Sequence, residues 1–234
     1  MYKGITITPP FFEIGPKAFL YGEQMLALAK VADRAAAKYD VRIILTPQPT
    51  DIRLLAQQTR HVLIFAQHID PITVGRGLGS ILPEAVKAAG AVGAMLNHAE
   101  RPMTVADLCQ AIRRADEVGL ATIVCASSLS EAEAIARFAP NIIVAEPTEL
   151  IGTGQVSDKE YVVATTSAIK RINPEIAVLQ GAGISNGQDV YNMIRAGADA
   201  TGTTSGIMKA SDPEAMLWEM IQALRTAWDE RHSQ

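Results

Sequence analysis

VGAMLNHAERPMTVADLCQAIRRADEVGLATIVCASSLSEAEAIARFAPNIIVAE, residues 92–146, holds three short apolar runs separated by two longer amphipathic ones. VGAML (92–96), ATIVCA (121–126) and NIIVAE (141–146) are nearly continuous apolar runs, the pattern of strands covered on both faces. Between the first two, Thr104 precedes Val105, Leu108, Cys109, Ile112 and Ala115, which share one helical face, and Gly119 ends the run. Ser130 and Glu133 have the spacing in which a hydroxyl and a carboxylate satisfy the free N–H groups at a helix start.

The same alternation extends to both ends of the chain. ITIT (5–8), VRIILT (41–46) and HVLIFA (61–66) precede the stretch, and EIAVLQ (175–180) and DATGT (199–203) follow it. Ser157 with Glu160 and Ser211 with Glu214 repeat the capping spacing, and Pro213 falls in a first helical turn, where its missing donor is harmless. Eight strand–helix units in 234 residues give about 29 residues each. Parallel strands need crossover helices, and strict eightfold alternation points to an α/β fold, a closed (β/α)8 TIM barrel with residues 1–234 as a single domain. An open doubly wound sheet is the competing architecture and would have a topological switch point.

Composition excludes other classes. The chain is 48% hydrophobic and 20% charged, with a net charge of −4, so it can bury a large core and lacks the basic footprint of a nucleic-acid binder. No apolar run approaches the ~18 residues of a membrane span. Cys109 and Cys125 offer neither CxxC spacing nor a disulfide framework, which favours packing roles in a reducing, cytoplasmic setting.

In a barrel of this kind the chemistry sits at the C-terminal ends of the strands. The first strand region runs into Glu13, Gly15, Pro16 and Lys17, the fourth into Asn97, His98 and Glu100, and the sixth ends at Glu146. A histidine and a glutamate facing one mouth can act as acid and base, with a lysine to hold an anion. Singly, His98 reads as a packed or capping histidine, Lys17 as a solvated charge, and Glu146 equally as a surface carboxylate. The glycine turns Gly181 to Gly187 and Gly202 to Gly206 follow the seventh and eighth strands, where barrels often bind phosphate. Neither turn carries a P-loop GK[ST], and GxGxxxG is not the dinucleotide fingerprint.

AQHIDP (66–71), ILPEAVKAAGAVGAMLNHAE (81–100), AEPTELIGTG (145–154) and QGAGISNGQDV…GADATGTTSGIMKASDP (180–213) resemble the triosephosphate isomerase family, in its short archaeal-type branch. The resemblance implies that His98 polarises a substrate carbonyl and Glu146 moves a proton between adjacent carbons. It implies a closing lid from Pro147 to Gly154. Phosphate contacts fall on Ile151, Gly152, Gly183, Thr204, Ser205 and Gly206, largely through backbone N–H groups. Glu100 matches a carboxylate two residues beyond the histidine. The expected partner is a small-molecule sugar phosphate, with no cofactor, no metal, no nucleic acid and no membrane, and the family is homodimeric or homotetrameric.

The chain departs from that pattern after the first strand. The family has Asn-x-Lys there; this chain has Gly15-Pro16-Lys17, which leaves Lys17 as the electrophilic lysine without the asparagine. Two other readings therefore stand beside a triose phosphate isomerase. One is a paralogous isomerase of another short sugar phosphate, such as a tetrulose phosphate. The other is a non-catalytic phosphate-binding barrel.

Overall fold

Eight parallel strands close on themselves in chain order. They are β1 (Phe11–Ile14), β2 (Arg42–Leu45), β3 (Val62–Ala66), β4 (Gly93–Leu96), β5 (Ala121–Ala126), β6 (Ile142–Ala145), β7 (Ala177–Gln180) and β8 (Ala200–Thr203). β8 pairs back onto β1, with Glu13 beside Gly202. The computed structural model describes residues 1–151, 153 and 155–233. The barrel was the predicted architecture, and seven of its strands fall on the predicted runs.

The first strand does not. ITIT (5–8) forms no strand; β1 is Phe11–Ile14. Ile5 and Ile7 instead pack, together with Tyr2, against the interior cluster that includes Phe11, Phe65 and Ile142. Their alternation marks one-sided burial across the N-terminal end of the barrel rather than a ladder partner. The segment is anchored there by the N-terminal ammonium, 2.7 Å from Asp116 Oδ2, and by the Tyr2 carbonyl, which accepts from Asn141 Nδ2 at 2.8 Å.

Helices cover the outside: α1 (Gly22–Tyr39), α2 (Ile52–Gln58), α3 (Pro83–Ala89), α4 (Val105–Val118), α5 (Leu129–Ala136), α6 (Lys159–Ile172), α7 (Gly187–Arg195), a short α8 (Ser205–Met208) and α9 (Pro213–His232). Thr104 caps α4 by accepting from the Asp107 N–H, and Gly119 closes it in a left-handed conformation, as predicted. The other three predicted caps shift. α5 is capped by Ser128, α6 by Asp158 and α9 by Asp212, each accepting from the N–H three residues on. In the last two, an aspartate beside the predicted serine supplies a charged acceptor aligned with the helix dipole.

Two apolar layers result. Phe11, Ile44, Phe65, Ile123, Ile142 and Leu179 fill the barrel interior, and a larger shell of Ile, Val, Leu and Ala joins the strands to the helices. No helix among the described residues is long and apolar enough to cross a membrane.

Candidate active site

A cavity of about 460 Å³ opens at the C-terminal face of the barrel, and Lys17, His98, Glu146, Ile151, Gly183, Thr204 and Ser205 all line it. Sequence positions far apart are thus brought to one place by the strand ends. Of the other predicted contacts, Gly206 is not on the wall: its N–H donates to Thr203 Oγ1 at 3.1 Å. Gly152 lies outside the described residues, as does Gly154 of the predicted lid. Among the described residues no cluster of His, Cys, Asp and Glu is arranged to hold a metal ion.

Lys17 is held by its backbone. It has φ +47°, a left-handed conformation that costs a non-glycine residue of order 1–3 kcal/mol and persists only where its surroundings impose it. Here its carbonyl accepts from both Gln48 Nε2 and Gln67 Nε2, each at 2.8 Å, and Nζ lies 2.6 Å from Glu100 Oε1. Neither glutamine was read as functional from sequence. Both act on a main-chain atom, a role that a sequence pattern does not disclose.

His98 follows β4 through Asn97, itself left-handed at φ +57°. Asn97 donates to the Cys125 carbonyl at 3.1 Å and to Glu131 Oε1 at 3.0 Å, and accepts from the Met103 N–H at 3.0 Å. That side chain ties the loop after β4 to β5 and α5. The His98 Nδ1 accepts from the Glu100 N–H at 3.1 Å, which puts the proton of the neutral ring on Nε2. Burial, and then the Lys17 charge, push its pKa below the usual histidine value, so the ring is neutral near pH 7.

Glu146 ends β6. Burial raises its carboxyl above the ordinary glutamate value against the opposing pull of Lys17 and of the Ala182 N–H, which donates to Oε1 at 3.0 Å. Next to it, Gly183 has φ +72°, and a Cβ there would sit 2.0 Å from the Gln155 carbonyl oxygen. Only glycine lets the chain beyond the predicted lid pass this close to the turn after β7.

Two further charged residues of the cavity were given no role by the sequence reading. Lys209, just after α8, adds a second lysine to the wall. Glu13 reaches in from β1 and is 8% exposed; burial pushes its pKa up to about 7, and Thr46 Oγ1 donates to its Oε1 at 2.8 Å.

The family model described as triosephosphate isomerase matches residues 17–224.

The chain belongs to the triosephosphate isomerase family.

Among curated members of the family, the triosephosphate isomerase of Methanobacterium bryantii is 41% identical over 87% of this chain and 91% of its own. That of Methanothermus fervidus is 38% identical over 86% and 91%, and that of Sulfurisphaera tokodaii 37% over 91% and 94%. The crystal structure of triosephosphate isomerase from Bartonella henselae superimposes with a TM-score of 0.78 over 94% of this chain and 100% of its own, at 15% identity, which speaks for the fold alone. Membership of the triosephosphate isomerase family accounts for an enzyme of enediolate chemistry on sugar phosphates.

Proposed function

We propose that this chain interconverts dihydroxyacetone phosphate and glyceraldehyde 3-phosphate, with Glu146 as base, His98 as electrophile and Lys17 as the cation that holds developing negative charge. The observation that carries it is the convergence of these three groups, from β6, β4 and β1, on one cavity. Glu146 takes a carbon-bound proton and returns it to the neighbouring carbon. A neutral His98, proton on Nε2, donates to the carbonyl oxygen as it becomes an enediolate oxygen, and Lys17 shares that charge. Pairing a glutamate base with a neutral histidine is the established chemistry of the family.

The phosphate falls to Ile151, Gly152, Gly183, Thr204, Ser205 and Gly206. Gly183, Thr204 and Ser205 support this best, because their N–H groups have no protein acceptor among the described residues and all three line the cavity. Ile151 N–H donates to the Thr148 carbonyl at 3.2 Å and Gly206 N–H to Thr203, so each would change partner when the phosphate binds and the segment 147–154 closes.

The loop after β3 supports an oligomer. Its neck is fastened where the Asp70 N–H donates to the Ile81 carbonyl at 2.9 Å and the Ile81 N–H to Asp70 Oδ2 at 2.6 Å. Beyond the neck, Val74 and Leu78 stand 74% and 108% exposed, apolar side chains suited to a neighbouring subunit. The same reading takes residues 1–234 as one domain of a cytoplasmic homodimer or homotetramer. Turnover of glyceraldehyde 3-phosphate against a panel of four- to six-carbon sugar phosphates tests the reaction. Absence of turnover on the whole panel would favour a non-catalytic barrel.

A further inference from the structure

Glu13 is not used by the mechanism above, and its surroundings are costly for a group with only a structural role. Its carboxyl sits between two glycines. A Cβ at Gly15 would lie 3.1 Å from its Oε1, and one at Gly202 would lie 2.9 Å from its Cβ and 3.1 Å from its Oε2. Gly15 stands two residues before Lys17, where the family pattern has asparagine, so the carboxyl borders the space that side chain would take. Thr46 holds Oε1, while Oε2 has no hydrogen-bond partner among the described residues. Oε2 borders the cavity, free to meet a group that enters it, and a leucine would fill the position without the cost of burying a carboxyl.

The depth of Glu13 suggests what Oε2 meets. Strand residues form the floor of the cavity, and beside Glu13 these include Met95, Cys125, Val144 and Leu179, none of which offers a strong hydrogen-bonding group. With the phosphate at the glycine turns and the reacting carbons between His98 and Glu146, the remaining end of the substrate points toward this floor. Only Glu13 among these residues can meet a hydroxyl there strongly.

We propose that Glu13 is a substrate-contacting, specificity-determining residue that takes a hydroxyl at the floor of the cavity, so that the site admits ketose phosphates with one more hydroxyl-bearing carbon than a triose. This rests on the isomerase reading above. The carboxyl accepts the hydroxyl when ionised and can donate to it when protonated; the reacting carbons and the enediolate chemistry are unchanged.

The test is the ratio of kcat/KM for a four-carbon ketose phosphate to kcat/KM for dihydroxyacetone phosphate. It is measured in the wild type, Glu13→Leu, Glu13→Gln and Thr46→Val. A hydrogen bond to a charged group corresponds to roughly 10- to 100-fold. Glu13→Leu is expected to lower the ratio by about that factor, mainly by raising KM for the four-carbon substrate, and Glu13→Gln, which keeps hydrogen-bonding capacity, to recover part of it. Thr46→Val releases the anchor, lowers the ratio in the same direction and decides the matter should Glu13→Leu fail to fold. An unchanged ratio, with both substrates slowed alike or neither, overturns the proposal. A wild type that turns over only the triose overturns it and leaves the isomerase reading intact, whereas a wild type inactive on both sinks the two together.

Discussion

Lys17 Nζ lies 2.6 Å from Glu100 Oε1, an ion pair that joins the loop after β1 to the loop that carries His98. The lysine proposed to hold the substrate is therefore placed by a carboxylate from the same strand-end loop as His98, the proposed electrophile. The Lys17 charge also depresses the His98 pKa and opposes the upward push of burial on Glu146. One cation thus favours the neutral His98 and the ionised Glu146, the forms that the proposed chemistry needs.

Lys17→Met should consequently raise KM and lower kcat together, each by roughly 10- to 100-fold, the worth of a charged hydrogen bond. It should also move the acid limb of the kcat/KM profile to higher pH, since Glu146 loses the charge that lowers its pKa. Lys17→Arg should recover only part, because a planar guanidinium does not fit the place of a compact ammonium. Wild-type kinetics in Lys17→Met would transfer the anion-holding role to another group, with Lys209 the first to examine.

Glu146→Gln keeps the shape of the side chain and removes its basicity. We expect kcat to fall by roughly 10²–10⁴, the usual span of general-base catalysis, with the affinity for inorganic phosphate nearly retained. Isothermal titration alongside steady-state kinetics separates the two effects. Retained kcat would end the role of Glu146 as base.

Glu13 gives the fold its own pH dependence. Its folded pKa of about 7 lies above the ordinary 4.5, so between these values the folded state holds a proton that the unfolded chain has released. Stability from this group is present in full below about 4.5, declines as the pH rises, and is lost once the pH passes about 7. The whole difference is worth about 3 kcal/mol. Urea unfolding of Glu13→Gln should show a shallower loss of stability than the wild type from pH 5 to 8; parallel curves would contradict the assignment.

Removing residues 73–79 takes away Val74 and Leu78 while leaving the Asp70–Ile81 neck. Sedimentation should then show a monomer, with activity reduced because the loop after β3 no longer meets a neighbour. An oligomer of unaltered size would show that another surface carries the assembly.

Gly183→Ala meets two obstacles, a left-handed φ and the Gln155 carbonyl. KM for the phosphate ester should rise about tenfold or more, as the chain after the lid is pushed off the turn, at a strain of order 1–3 kcal/mol. An unaltered KM would mean that this contact does not govern the phosphate end of the site.

The barrel was legible because most of its strands are nearly continuous apolar runs, a signal that alternation with helices turns into a topology. ITIT misled for a physical reason: Ile5 and Ile7 bury one side each against the barrel interior, which writes the same alternation as a strand without any ladder. FFEI was obscured by the glutamate within it, and that carboxylate was the sign of a strand residue aimed at the cavity. His98 and Glu146 were singled out through family motifs, and Lys17 despite a departure from one; the structure places all three on one cavity. The roles of Gln48, Gln67 and Asn97 were not legible, since they work by gripping carbonyls and loops that only the folded chain brings near.

The filled interior of the barrel decides the traffic of the molecule. Phe11, Ile44, Phe65, Ile123, Ile142 and Leu179 fill the interior, with Tyr2, Ile5 and Ile7 packed against them, so the cavity is a blind well and not a tunnel. Reactant and product then use one doorway, and whatever shuts it detains both. Forward and reverse turnover would share the same gate, so a change that slows its opening should reduce the two maximal rates together and leave the equilibrium between the two sugar phosphates untouched.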